Sequence, residues 1–161
     1  AAYCMEQATD RCKMYCGEKN QMYSALSEEL ARMYNAAGRR EESLACHLSV
    51  RNQLLKNGYR EGSILLMVDN NMSVVYLDLG KPEEAIPYLT EALELTKENG
   101  LVGSAVAEPT WNLARVYRAL GDEEKEDIYL KAAVEGFREC YPPEHPKRIA
   151  AEQRLKERQR E

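Results

Sequence analysis

The first thing missing from this 161-residue chain is a long apolar run. No stretch approaches the roughly 18 consecutive apolar residues of a membrane-spanning helix. The opening, AAYCMEQATD, has no basic segment leading into an apolar core, so it does not read as a secretory signal. Histidine is scarce, with His47 and His145 the whole supply. No Ser or Cys stands with a His and an acid in a recognisable nucleophile motif. No glycine-rich loop between a strand and a helix offers a phosphate cradle. Excess positive charge is lacking as well: the net charge of −5 argues against nucleic acid or an anionic membrane as the main partner. No enzyme is expected, and no cofactor. The chain also lacks an initiator Met, so it is read as a candidate fragment of a longer protein.

The five cysteines, Cys4, Cys12, Cys16, Cys46 and Cys140, are odd in number. Cys12 and Cys16 stand four apart on one helix face, near the geometric limit for a disulfide. No cysteine and histidine share a metal-ligand spacing, so no metal is expected. Reduced, partly buried thiols in a cytosolic protein are the reading, and the expected location is cytoplasmic.

What the chain does have is repetition. LARMYNAAGRREES, MSVVYLDLGKPEEA and LARVYRALGDEEKE align without gaps on Gly38, Gly80 and Gly121, which stand 42 and 41 residues apart. A tyrosine precedes each glycine by four: Tyr34, Tyr76 and Tyr117. A second series, Gly17, Gly58 and Gly100, runs at the same period, with Tyr141 in the place of a fourth. Each unit reads as a helical hairpin. The glycine closes one helix in the left-handed conformation, and Pro82 or Asp122 opens the next. Helices are expected over about 3–16, 21–37, 40–57, 61–79, 82–99, 103–120, 122–139 and 144–160. Pro87 is expected to cause a local irregularity. The acid pairs at 28–29, 41–42, 83–84 and 123–124 are read as sitting near helix starts, where carboxylates suit the helix dipole.

One hairpin cannot bury its own apolar face, but stacked hairpins can. Leu30, Tyr34, Met72, Tyr76, Leu113 and Tyr117 are the expected core of the first helices, and Ala85, Leu89, Ala92 and Leu93 supply the matching stripe. The basic end, KRIAAEQRLKERQRE, reads as a solvated, solubilising final helix. The expected divisions are a half repeat over 1–17, repeats over 18–58, 59–100 and 101–141, and a capping helix over 142–161.

This pattern resembles the tetratricopeptide repeat, with Met72, Tyr76, Gly80, Ala85, Leu89 and Ala92 matching it one for one. The period of about 42 departs from the usual one of about 34 and is similar to the long-helix variety of kinesin light chains and bacterial repeat proteins. PPEHPKRIA resembles that variety's linker between repeats. Where the middle repeat has Ala85, the first has Ser43 and the third Glu126. The resemblance implies an all-α, right-handed superhelical solenoid of stacked helix-turn-helix hairpins.

For function, the resemblance implies a protein or peptide ligand held on the concave surface. The family's peptide-holding asparagine, nine residues before the hinge glycine, falls on Asn71 and Asn112; the first repeat departs with Glu29. An amide suits that task because it both donates and accepts. By helical phase Asn70, Val74, Asp78, Trp111, Arg115 and Arg118 flank this line, and Glu28, Arg32 and Asn35 continue it. Trp111 is the only tryptophan, and an aromatic beside arginines is typical of interface hot spots. Arg115 and Arg118 would suit an acidic group on the ligand. Two other readings stand beside this one: the sensory array of a larger regulator that answers a signalling peptide, and a scaffold that self-associates into a homo-oligomer through its half repeats.

Overall fold

The structure, a computed structural model, describes residues 2–17, 21–58 and 63–160. Every regular element among them is an α-helix: α1 (Ala2–Cys16), α2 (Gln21–Ala36), α3 (Arg40–Lys56), α4 (Ser63–Asp78), α5 (Pro82–Glu98), α6 (Ser104–Leu120), α7 (Glu123–Cys140) and α8 (Pro146–Arg158). These bounds fall within about two residues of those read from periodicity. The expected start of the fourth helix at 61 and the repeat bounds at 18 and 59 lie outside the described residues, as does the side chain of Cys4.

The hinge glycines explain the helix ends. Gly38, Gly80 and Gly121 have φ of +76°, +68° and +73°. At Gly121 the amide of Asp122 returns to the carbonyl of Tyr117 at 3.0 Å, the six-to-one closure that a left-handed glycine permits. Asp122 then caps α7, its Oδ1 accepting from the Lys125 amide at 3.1 Å. Pro82 opens α5 and Pro146 opens α8, each in the first turn, where no amide hydrogen is needed. The helix runs on through Pro87 from Pro82 to Glu98. Glu41, Glu42, Glu83, Glu84, Glu123 and Glu124 lie in first turns as expected. The pair at 28–29 does not: it lies in the middle of α2.

The chain divides into two compact units, Ala1–Gly80 and Lys81–Glu161. In the first, α1 packs on α2, α2 on α3, α3 on α4, and α2 also on α4. Its core holds Leu30, Ala31 and Tyr34 of α2, Val50 and Leu54 of α3, and Leu65, Val68, Met72, Val75 and Tyr76 of α4. A charged pair enters this core. Asp69, fully buried, accepts from Arg51 Nε at 2.7 Å, joining α3 to α4.

In the second unit α5 packs on α6, α6 on α7 and α7 on α8. Ala85, Leu89 and Ala92 are fully buried, and Leu113 nearly so. Leu93 and Tyr117, expected in the core, are half-buried; Tyr117 stacks on Tyr129 with ring centroids 5.4 Å apart. The α6–α7 contact is close because α7 offers Gly136: a Cβ there would stand 2.9 Å from the Cβ of Ala107. The chain enters α6 through Gly103, at φ +67° and ψ −133°, a conformation open essentially only to glycine.

Ser43, Ala85 and Glu126, the equivalent positions of the three hairpins, are all buried. Ser43 Oγ donates to the Ala31 carbonyl at 2.7 Å, so the first hairpin fills the small position with a satisfied hydroxyl. Glu126 is met by α8. Arg154 clasps it with Nε at 2.6 Å and a second nitrogen at 3.1 Å. Arg158 lies 3.9 Å from the same carboxylate and bonds Asp127 at 3.0 Å. The final helix is therefore more than a solvated cap: Ala151 is fully buried, and the side chains of Arg154 and Arg158 are mostly covered.

Candidate functional site

Site residues fall in both units. In the first, Glu28 is the centre. It is only 3% exposed, with Ser27 and Leu30 beside it also buried. His47 of α3 places Nδ1 2.9 and 3.1 Å from its two oxygens, the geometry of an N–H given to a carboxylate. Asn71 of α4 donates to it from Nδ2 at 3.4 Å. Asn71 is thus anchored by one amide hydrogen and remains half-buried. Its neighbours Asn70 and Val74 are half-buried too, and the Asn70 carbonyl accepts from Ser73. Arg32 is exposed and pairs with Glu29 at 2.8 Å. Asn35 is half-buried, with its Oδ1 covered and without a hydrogen-bond partner among the described residues. Asp78 lies 4.0 Å from Arg40.

In the second unit, α6 carries the remaining residues. Trp111 is half-buried against the cluster of Ala107, Ala114, Leu130, Val134, Phe137 and Ala151, and meets Phe137 edge-on at 6.4 Å. Asn112 is 4% exposed, and its Oδ1 accepts from Arg115 at 3.0 Å. That amide faces a side chain of its own helix, so its structural task is to hold Arg115. Arg118 is exposed and makes no hydrogen bond or ion pair with a described residue. Trp111, Arg115 and Arg118 together line a cleft of about 90 Å3, completed by Ala114, Leu130, Glu126 and Arg154. Three guanidiniums and one carboxylate leave a local excess of positive charge beside an indole ring.

Sequence reading found the α6 residues by helical spacing and missed Glu126 and Arg154, the charged pair that lines the cleft with them. Their signal was present. A glutamate at a position that packs small residues must find a cation when buried, and the only strongly basic segment is the last one. Cys12 is buried, Cys16 exposed, and Cys46 and Cys140 half-buried, all as thiols. Burial, then the neighbouring Cys16, pushes the Cys12 thiol up. Among the described residues no group of His, Cys, Asp and Glu could hold a metal. No helix among them is long and apolar enough to cross a membrane.

A fold of stacked antiparallel helical hairpins closed by left-handed glycines is that of the tetratricopeptide repeat, and residues 64–139 match the tetratricopeptide repeat family model. Such repeats are in general protein–protein interaction modules. The particular likenesses are these. Two crystal structures of nearly identical, kinesin light chain-like TPR repeats from Podosopora anserina superpose with TM-scores of 0.81 and 0.79 at 22% identity, covering 99% of this chain and 76% of theirs. BtubC (BKLC) from P. vanneervenii superposes with a TM-score of 0.70 at 19% identity, over 86% of this chain and 63% of that one. At that identity the likeness is one of fold. In sequence, 75 residues are 36% identical to the mouse (Mus musculus) homolog of the Fanconi anemia group G protein, covering 47% of this chain and 11% of that protein's length.

Proposed function

We propose that this chain binds an acidic peptide segment of a partner protein, with Trp111, Arg115 and Arg118 of α6 as the recognition surface. The observation that supports this reading most is the exposed, uncommitted guanidinium of Arg118 beside an oriented Arg115 and the Trp111 ring, around a cleft of about 90 Å3. That volume suits a carboxylate rather than a whole side chain. A guanidinium recognises a carboxylate through two parallel N–H donors, and a half-buried indole loses little freedom on binding. Asn112 contributes by fixing Arg115 in advance, which lowers the ordering cost of binding. Within the first unit, and separately from the α6 cleft, Asn71 of α4 has its Nδ2 engaged by Glu28, and its Oδ1 could serve as an acceptor for a ligand N–H.

The test uses Trp111 fluorescence. The chain is titrated with a pool of peptides rich in Asp and Glu, and separately with a size-matched pool carrying Asn and Gln instead. Saturable change with the acidic pool alone, weakened at least about fivefold in Arg115→Ala/Arg118→Ala and by added salt, is the expected result. Equal response to both pools, or full affinity in the double variant, would sink the proposal.

A further inference from the structure

A second cleft, of about 350 Å3, lies within the first unit between α1, α2 and α3. It shares no lining residue with the α6 cleft. Its volume is at the lower end of the roughly 300–1,000 Å3 typical of small-ligand sites. Glu6 and Asp10 of α1, Tyr23, Ser27 and Tyr34 of α2, and Cys46 of α3 are among the groups that line it.

Two independent observations mark it as built for something. One is charge. Glu6 accepts from the Tyr34 hydroxyl and has Arg39 at 3.6 Å, so it is compensated. Asp10 is exposed and makes no hydrogen bond or ion pair with a described residue, so its carboxylate faces the cleft uncompensated. The Cys46 thiol, also on the lining, is pushed upward by burial first and then by Glu28 and Glu6, with Arg39 opposing. The other is an orphan. Ser27 is 6% exposed, its Oγ is fully covered, and that hydroxyl has no hydrogen-bond partner among the described residues. An unpaired buried hydroxyl is a standing cost to the fold, which a group arriving from outside would relieve.

We propose that this cleft takes a primary alkylammonium group, as a lysine side chain of a partner or a free alkylamine. An ammonium brings three donors and no acceptor. Ser27 Oγ and the Asp10 carboxylate are the acceptors on the lining that lack donors among the described residues, and Tyr23 and Tyr34 supply aromatic lining of the kind that attracts cations. The Tyr34 ring already draws one, the Arg39 guanidinium at 4.3 Å from its centroid.

The experiment follows amide NMR shifts of the full chain during titration with Nα-acetyl-lysine methylamide, with cadaverine, and with the Nε-acetylated lysine derivative as neutral control. Saturable shifts at Tyr23, Ser27 and Cys46 with the two amines and not with the control are expected. Tighter binding of the lysine derivative would point to a partner's side chain, and tighter binding of cadaverine to a free amine. Asp10→Asn should weaken either about threefold to fivefold. Ser27→Ala should weaken binding while leaving the chain as stable as before or more so, because it removes an unsatisfied hydroxyl. Shifts as large with the neutral control, or none with the amines, would overturn the proposal, as would unchanged affinity in Asp10→Asn or destabilisation by Ser27→Ala.

Discussion

Glu28 in the first unit and Glu126 in the second are equally hidden, each 3% exposed, and are neutralised by opposite means. Glu28 sits at the junction of three helices and takes an imidazole from α3 and an amide from α4. Glu126 takes two guanidiniums from a single helix, α8. The first arrangement ties two neighbouring helices to one carboxylate through a ring nitrogen and an amide. The second fastens one terminal helix with permanent charge. A buried carboxylate in a repeat array is thus not one kind of device. What it does depends on whether its partners are shared among repeats or supplied by the cap.

The strongest way to break that comparison is to remove the main donor to the buried carboxylate in each unit. Arg154→Ala and His47→Ala should each cost about 3 kcal/mol, because each strands a covered carboxylate. Urea unfolding reads the loss. The rescue should differ. Glu126→Ala in the Arg154→Ala background restores the small residue found at Ala85 and recovers most of the loss. Glu28→Gln in the His47→Ala background keeps Asn71 paired and recovers part of it. Equal rescue in both would show that the two carboxylates work alike.

A smaller effect separates crowding from backbone strain. Gly136→Ala forces a methyl to 2.9 Å from the Ala107 Cβ, and should cost about 1–3 kcal/mol by overpacking. Gly38→Ala meets nothing within 4 Å, so its loss, about 1 kcal/mol, comes from positive φ alone. Only Gly136→Ala should be relieved by Ala107→Gly, which thermal melts would show.

Alkaline titration comes next. The Tyr34 hydroxyl is pushed up to about 12 by its hydrogen bond to Glu6 and then by burial, and Tyr141 to about 12 by burial and then by its bond to Glu108. Both values are raised in the folded state, so the stability they contribute is whole below the ordinary tyrosine value of about 10. It is lost as pH climbs from there through about 12. Tyrosinate absorbance should show two late-titrating groups, one missing in Tyr34→Phe and the other in Tyr141→Phe. The smallest expected effect is that of Arg32→Ala, within about 0.5 kcal/mol, since its pair with Glu29 is exposed on both sides.

Local signals were the legible ones. The glycine series marked helix ends because only a left-handed residue closes these hairpins, and alternating apolar spacing marked the core because burial follows the helical period. Trp111, Arg115 and Arg118 were placed together because three- and four-residue steps share a face. Depth was not legible. Helical phase put Asn112 beside Trp111 and Arg115 on α6 without showing that it is covered, and it put Glu28 among surface residues. Long-range partners were not legible either. Nothing within a few residues of Glu126 announces Arg154, and His47 looked solitary because its acid is 19 positions away on another helix.

The Glu126–Arg154 clasp also limits how freely hairpins of this chain can be exchanged. Repeat proteins are often treated as strings of interchangeable beads, but this bead carries an address. If the segment from Glu123 to Cys140 were grafted ahead of any helix lacking arginine at the matching turn, it would arrive with a naked buried anion. If the segment holding Ala85 were put in its place, Arg154 would have nothing to grip. Shuffling among such chains must therefore move α7 and α8 as one inherited piece.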